Sequence, residues 1–279
     1  MIKACVIGWP IAHSRSPLIH NYWIEHHGLQ GSYDKVAVDP KTLPQFFKSI
    51  RQGNYLGCNV TLPHKETALR YVDEADDRAR RIGALNTVWL RDHKLHATST
   101  DGPGFIANVM DHCSGFKCND LTVTILGAGG SARAIVDELL RQGVARIQVH
   151  NRTHARAEEL SHHFGAAMNA VDAASLPQAL SHTDLLINTT SQGMNDSSEV
   201  DLPWAQLKPG AIVADIVYTP LITAFLKTAK TRGHAIVPGL GMLLHQAVIG
   251  FEKWFGVMPE VTPELHAIVA RDIDPDWQR

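Results

Sequence analysis

Long apolar runs are missing from this chain. No stretch nears the roughly 20 apolar residues that a bilayer crossing requires, so no membrane partner is expected. Cysteine is scarce, with four residues, Cys5, Cys58, Cys113 and Cys118. None forms a Cys-x-x-Cys pair, and the pattern argues against a disulfide framework or a thiol-redox motif. Free thiols in a reducing cytoplasm are the expectation. Excess charge of either sign is also lacking: 26 Lys plus Arg stand against 28 Asp plus Glu. No broad basic field is therefore available for nucleic acid or an anionic membrane. Histidine is plentiful, at 16 residues, yet no His-Glu-x-x-His or similar ligand spacing occurs. The adjacent pairs His26-His27 and His162-His163 point in different directions on a helix, so no metal site is expected.

What is present is a globular composition, 44% hydrophobic and 19% charged. The length suits one large or two modest domains and a core that needs no staples. The first eight residues read as a buried strand, being too short in apolar length for a signal sequence.

Short β-branched runs alternate with helical patterns from end to end. Strands are expected at 2–7, 33–38 and 56–60, and a hairpin at 87–91 and 94–98 around Asp92-His93. Helices are expected at 17–26, 43–51, 66–71 and 74–81. After Asp101-Gly102-Pro103-Gly104 and a helix near 105–112, a second series places strands at 122–126, 147–150, 185–189, 212–216 and 235–237. Helices at 131–142, 154–164 and 223–232 separate them, and helices at 242–255 and 263–272 close the chain. The alternation predicts two α/β domains with mainly parallel sheets and a cleft between them. The expected boundaries are 1–103 for a first domain and 104–241 for a second, with helices in 242–279 returning to the first.

One motif sits in a demanding context. The strand at 122–126 runs into Gly127-Ala128-Gly129-Gly130-Ser131-Ala132 and then into a helical pattern. This is the Gly-x-Gly-x-x-Gly/Ala fingerprint of a Rossmann-type dinucleotide site. Gly127 permits the turn, Gly129 lets backbone approach a pyrophosphate, and Ala132 is small enough for close packing of helix on strand. The helix N-terminus then offers N–H groups and a positive dipole end to phosphate. The next strand does not end in the Asp or Glu that would bind a ribose 2′-hydroxyl. It is followed by Asn151-Arg152-Thr153, with Arg156 one turn later. A carboxylate there would repel a 2′-phosphate, whereas two guanidiniums pair with it, so NADP is expected over NAD.

Three loop segments of the first domain carry further chemistry. In His13-Ser14-Arg15-Ser16-Pro17, Pro17 suits the first helical position and Ser16 the N-cap. Capping does not explain Ser14, and two hydroxyls beside a helix N-terminus suit a carboxylate ligand. Asn59-Val60-Thr61-Leu62-Pro63-His64-Lys65 follows a strand, where open α/β sheets bind ligands. Asn86-Thr87 and Thr100-Asp101-Gly102 complete the set.

With these segments, and with Ile82-Gly83-Ala84-Leu85-Asn86 and Gly239-Leu240-Gly241-Met242-Leu243-Leu244-His245-Gln246, the chain resembles the shikimate dehydrogenase family over nearly its whole length. The resemblance implies reversible, NADPH-dependent reduction of 3-dehydroshikimate to shikimate, a step of chorismate and aromatic amino-acid biosynthesis. It implies that Ser14 and Ser16 hold the substrate carboxylate, with Tyr218 of Val217-Tyr218-Thr219-Pro220 near it. Thr61, Lys65, Asn86, Asp101 and Gln246 would hold the ring hydroxyls. Ile216 and Gly239 would line the nicotinamide site, and Asp77 stands where the family carries an acidic residue near the cofactor. The partners implied are the small-molecule substrate and NADP, in a monomer or homodimer.

Oxidising an alcohol by hydride transfer requires a group to take the hydroxyl proton. The resemblance selects Lys65 and Asp101. A free lysine has a pKa near ~10.4; burial would lower it and a neighbouring carboxylate would raise it. Lys65 is taken as the acid/base, because ketone reduction needs a proton donor there. One segment departs from the family pattern: Ser99 precedes Thr100-Asp101 where the family commonly carries Asn. A quinate/shikimate or amino-shikimate dehydrogenase is therefore an alternative. A non-catalytic NADP-binding regulator is a second, but it would have no need of Lys65 with Asp101.

Overall fold

The computed structural model describes residues 2–194 and 201–278. They divide into two compact units: the residues up to Gly104 with Leu243–Val269, and Phe105–Met242 with the segment from Ala270 onward.

The first unit is built on a six-stranded sheet. Its strands are β1 (Ile2–Gly8), β2 (Gly31–Ala37), β3 (Gly57–Val60), β4 (Glu74–Ala75), β5 (Thr87–Arg91) and β6 (Lys94–Thr98), in the order β2-β1-β3-β5-β6-β4. β1 pairs parallel with β2 and with β3, while β5 runs antiparallel to β3 and β6. The helices are α1 (Ser16–His26), α2 (Leu43–Arg51) and α3 (Asp77–Ile82). β1 is followed through α1 by β2 on one side, and β3 lies on its other side. The loops leaving β1 and β3 are thus neighbours at the carboxyl end of the sheet, the position where open α/β sheets bind ligands.

A core of Cys5, Ile7, Leu43, Phe47, Ile50, Cys58 and Val88 fills one side. On the other, Tyr33 and Phe251 stack on the His20 ring, while Trp23 meets it edge-on and Trp254 at a tilt. Trp254 Nε1 donates to the Val88 carbonyl at 2.9 Å, which fixes the long α9 (Leu240–Phe255) at its end against β5.

The second unit has a six-stranded, wholly parallel sheet. Its strands are β7 (Thr122–Leu126), β8 (Arg146–His150), β9 (Met168–Val171), β10 (Leu185–Asn188), β11 (Ile212–Asp215) and β12 (Ala235–Val237). The spatial order β12-β11-β10-β7-β8-β9 is the doubly wound dinucleotide-binding order, with its reversal between β7 and β10. Around it lie α5 (Gly130–Arg141), α6 (His154–Phe164), α7 (Leu176–Ser181) and α8 (Ala224–Thr231). Strands buried throughout, such as Leu185–Asn188, are what a sheet covered on both faces demands. The divisions between units fall within α4 (Asp101–His112), α9 and α10 (Pro263–Ile273). The expected domains gave all of 242–279 to the first unit, whereas the segment from Ala270 groups with the second.

Several local expectations change. The helix expected at 74–81 splits, because Glu74 and Ala75 pair with His96 and Ala97 as strand β4. Asp76 then caps α3, its carboxylate accepting from Ala79 N at 2.8 Å. The segment 66–71 is a 3-10 turn, Thr67–Tyr71. Strand β9 and helix α7 were not anticipated. Ser16 is not the N-cap: Arg15 takes that place without a side-chain cap, and Pro17 lies within the first turn. All four cysteines are free thiols. Among the described residues, no helix is long and apolar enough to cross a membrane, and no cluster of His, Cys, Asp or Glu could hold a metal ion.

Candidate active site

In the first unit, the loop after β1 supplies Ser14 and Ser16. Ser14 Oγ donates to Ser16 Oγ at 3.3 Å and accepts from Ser16 N at 3.4 Å. Ser14 therefore covers one free N–H at the start of α1, and the Ser16 side chain is released from capping. The loop after β3 carries Thr61, whose N–H donates to Ile7 O at 2.9 Å. A Cβ on Gly8 would lie 2.6 Å from Thr61 Cγ2, so glycine is what lets the two loops approach.

The same loop delivers Lys65. His64 is buried with its Nε2 2.7 Å from Val38 O, and Leu85 N donates to Lys65 O at 2.9 Å. The lysine is thus held from both sides of its own backbone. Its Nζ donates to Asp101 Oδ2 at 2.5 Å. The two side chains are 16% and 9% exposed, so the pair is shielded but still reachable.

Asn86, buried at the start of β5, connects the pair to the rest. Its Nδ2 donates to Asp101 Oδ1 at 2.8 Å, to Thr100 Oγ1 at 2.9 Å and to Gln246 Oε1 at 3.3 Å. Its Oδ1 accepts from Thr100 N at 2.8 Å. Thr100 Oγ1 donates to the Gln246 carbonyl at 2.8 Å, tying α9 to this cluster. Gly104 permits that approach, since a Cβ there would be 2.7 Å from Gln246 N. Lys65, Asn86, Asp101 and Gln246 are thus one hydrogen-bonded group. Ser14 with Ser16 form a second pair, and Thr61 flanks Gly8.

The second unit carries the expected cofactor residues. Gly127 has φ +106°, a conformation that favours glycine, and a Cβ on it would sit 2.7 Å from Thr189 Oγ1. Gly129 and Gly130 have open space where a Cβ would go. That open space lies at the start of α5, and the N-terminus of such a helix is where a pyrophosphate can be held. Ala132 is fully buried in the core with Ile125 and Val149. Ala128 is half-buried beside that core, and Ser131 lies in the first turn of α5. After β8, Asn151 Nδ2 donates to Thr153 O at 2.8 Å, and Thr153 is the N-cap of α6. Arg152 and Arg156 are exposed, and the first turn of α6 contains no acidic residue. Two guanidiniums at a helix N-terminus oppose its dipole, and a bound phosphate would relieve both.

At the end of β11, Ile216 and Val217 turn against Gly239, where a Cβ would stand 2.6 Å from both carbonyl oxygens. Tyr218 follows, half-buried. Met242 packs in the core of the second unit. Asp77 opens α3 in the first unit and is exposed.

Three groups beside these residues escaped the sequence reading. Thr189 and Thr190, at the end of β10, sit against the glycine turn; their place at a strand end beside the sheet's reversal was the available signal. Asp215 is buried among Asn188, Val217 and Thr223, all of which donate to its carboxylate. Burial raises its pKa to about 6 against those donors. Tyr33, on a strand with no motif of its own, donates from its hydroxyl to Asn59 Oδ1 at 2.5 Å.

Comparison with known proteins identifies the family. Residues 6–88 match the family described as shikimate dehydrogenase substrate binding domain, 111–198 match shikimate / quinate 5-dehydrogenase, and 239–263 match the shikimate 5'-dehydrogenase C-terminal domain. The chain belongs to the shikimate dehydrogenase family. A shikimate dehydrogenase (NADP(+)) of Methylocella silvestris is 47% identical over 98% of this chain and 97% of its own length. The shikimate 5-dehydrogenase of Thermus thermophilus, solved with NADP(H) and shikimate, has a TM-score of 0.87 at 36% identity, covering 98% of this chain and all of that one. The ligand-free 5-ketofructose reductase of a Gluconobacter strain has a TM-score of 0.88 at 33% identity, covering 99% of each.

Proposed function

We propose that this protein is an NADP-dependent shikimate dehydrogenase, reducing 3-dehydroshikimate to shikimate reversibly on the route to chorismate. The observation that carries the reading is the single group formed by Lys65, Asp101, Asn86 and Gln246. An ammonium, a carboxylate and two amides converge at the sheet end that also carries the Ser14–Ser16 pair. Such a set could supply a charged proton donor, amides for ring hydroxyls and, from Ser14 and Ser16, hydroxyls for a carboxylate.

NADPH, when bound, supplies the hydride. Its pyrophosphate suits Gly127 to Ser131, and its 2′-phosphate suits Arg152 and Arg156 beside Asn151 and Thr153. Ile216 and Gly239 would border the nicotinamide, and Asp77 would be a weaker cofactor contact. Lys65 gives its proton to the carbonyl oxygen as negative charge develops there, and takes it back in the oxidation direction. Asp101 holds the ammonium in place and accepts from Asn86, leaving the substrate hydroxyls to Asn86, Gln246 and Thr61. Ser14 and Ser16 present hydroxyls to the substrate carboxylate, with Tyr218 assigned there by the family resemblance. As an NADPH-linked biosynthetic enzyme it would work in the cytoplasm, as a monomer or homodimer.

Ser99 favours a second reading, a broader substrate range within the same chemistry. It is buried directly before Thr100 and Asp101, and it is shorter than the asparagine common there. Following reduced-nicotinamide absorbance with shikimate and with quinate, each with NADP and NAD, decides between them. Turnover with shikimate and NADP alone supports the first reading. Comparable turnover of quinate moves the protein to the broader class. Silence in all four combinations overturns both.

A further inference from the structure

A buried chain of polar side chains runs beneath the residues assigned to substrate. The phenol of Tyr33 on β2 donates to Asn59 Oδ1 on β3. Asn59 Nδ2 donates to the Asn86 carbonyl and to Thr87 Oγ1, both at 3.2 Å. Thr87 Oγ1 donates to Asn86 Oδ1 at 3.0 Å, and Asn86 Nδ2 reaches Asp101. At the other end the Tyr33 backbone is bonded both ways to the Asn21 side chain on α1, the helix that Ser16 opens: Asn21 Nδ2 donates to Tyr33 O at 2.9 Å and Tyr33 N donates to Asn21 Oδ1 at 3.0 Å. The His20 ring lies flat on the Tyr33 ring, with centroids 4.0 Å apart at 11°. Tyr33 is thus clamped by stacking and aimed by one short bond.

We propose that Tyr33 and Asn59 are positioning residues. Together they form the link that sets the Ser16 hydroxyl and the Asn86–Asp101–Lys65 group at a fixed separation. The inference rests on the proposed shikimate dehydrogenase reading. Neither side chain has to touch substrate. A buried, fully connected network holds its members to one geometry, and loss of one member leaves others short of a partner. A substrate with a carboxylate at one end and a reacting oxygen at the other needs both ends held at once, and a small misplacement there costs rate.

The titratable groups around the phenol are His20 on α1, Cys5 on β1 and Cys58 on β3. Burial lowers His20 to about 3 and pushes both thiols up. None of them titrates between pH 5 and 9, so a change in that range on altering Tyr33 does not arise from these three groups.

The test uses the full chain with Tyr33→Phe, which keeps the stacked ring and removes only the hydroxyl, and Asn59→Asp as a second variant should the first not fold. Two readouts are taken. One is kcat and KM for shikimate against pH. The other is the pH midpoint of Lys65 acetylation, read by peptide mass spectrometry without substrate. A fall in kcat/KM of roughly tenfold, shared between kcat and KM, with a displaced pH profile and a displaced Lys65 midpoint, is expected. A variant that melts earlier yet keeps both the kinetics and the Lys65 midpoint would show a structural role only and overturn the proposal. Should the wild-type protein fail to oxidise shikimate, the functional reading falls. The acetylation midpoint then decides the positioning role alone: displaced it stands, unmoved it falls.

Discussion

Lys65 and Asp101 lie in contact at 2.5 Å on different segments, one leaving β3 and the other opening α4. Asp101 is buried and Lys65 largely shielded, so each is the other's principal counter-charge. Removing one partner of such a pair leaves a charge without compensation, which is costlier than the pair itself is stabilising.

For Lys65→Ala this yields a separable prediction. Turnover with shikimate should fall by roughly 10² or more, since the proposed proton donor is gone. NADP affinity, for which Lys65 has no proposed role, should be unchanged. Steady-state kinetics beside a fluorescence titration with NADPH checks both. Turnover within a few-fold of wild type would remove Lys65 from the mechanism.

Arg152 and Arg156 should act on cofactor choice and on nothing else. Each charge-assisted hydrogen bond to phosphate contributes about 1.5–3 kcal/mol, or roughly 10- to 100-fold in binding. Arg152→Gln with Arg156→Gln should therefore raise KM for NADP steeply while leaving KM for NAD nearly as it was. The ratio of kcat/KM for the two cofactors is the measurement. A ratio that stays constant would mean that these exposed guanidiniums are solvated surface charge.

Much of this site was legible because its parts announce themselves locally. The glycine turn at Gly127 follows an apolar strand and precedes an amphipathic helix, and each signal needs only neighbours in sequence. The hairpin of β5 and β6 was readable for the same reason. What escaped depends on partners distant in the chain. β4 is two residues long and exists because β6 offers it an edge. Strand β9 lacks a β-branched run and is held by pairing with β8. Ser16 matched every local rule for an N-cap, yet Ser14 supplies a hydrogen bond at that helix start instead. Tyr33 and Asn59 lie 26 positions apart, and only the sheet order brings them together.

Asp215 carries a pH dependence whose sign follows from its burial. Its folded-state pKa is raised to about 6 from an ordinary 3.8. The folded protein therefore holds this proton more tightly than the unfolded chain does. The resulting stability is fully present below the unfolded value and is lost as pH rises through the folded one. At most about 3 kcal/mol is involved, at ~1.4 kcal/mol per pH unit. Asp215→Asn has no proton to lose, so relative to wild type it should gain stability between about pH 4 and pH 7. Melting temperatures across that range test it. Parallel curves for the two proteins would show that Asp215 ionises as easily folded as unfolded.

Gly57 tests the packing beneath the site. On this glycine a Cβ would overlap both Val88 O and Trp254 Nε1. The two obstacles differ in kind. Trp254 is a side chain that substitution can shorten, whereas Val88 O belongs to the backbone of β5. It also accepts the Trp254 hydrogen bond. Gly57→Ala should therefore force β3 and β5 apart, with overpacking of about 1–3 kcal/mol or more. For a chain of this size that corresponds to a melting temperature lower by several degrees, at ~2–4 °C per kcal/mol. Adding Trp254→Phe should not restore it, because the backbone contact remains and the Val88 carbonyl loses its donor. A double variant that melts like Trp254→Phe alone would place the whole conflict on the tryptophan and show that the β3–β5 spacing can yield.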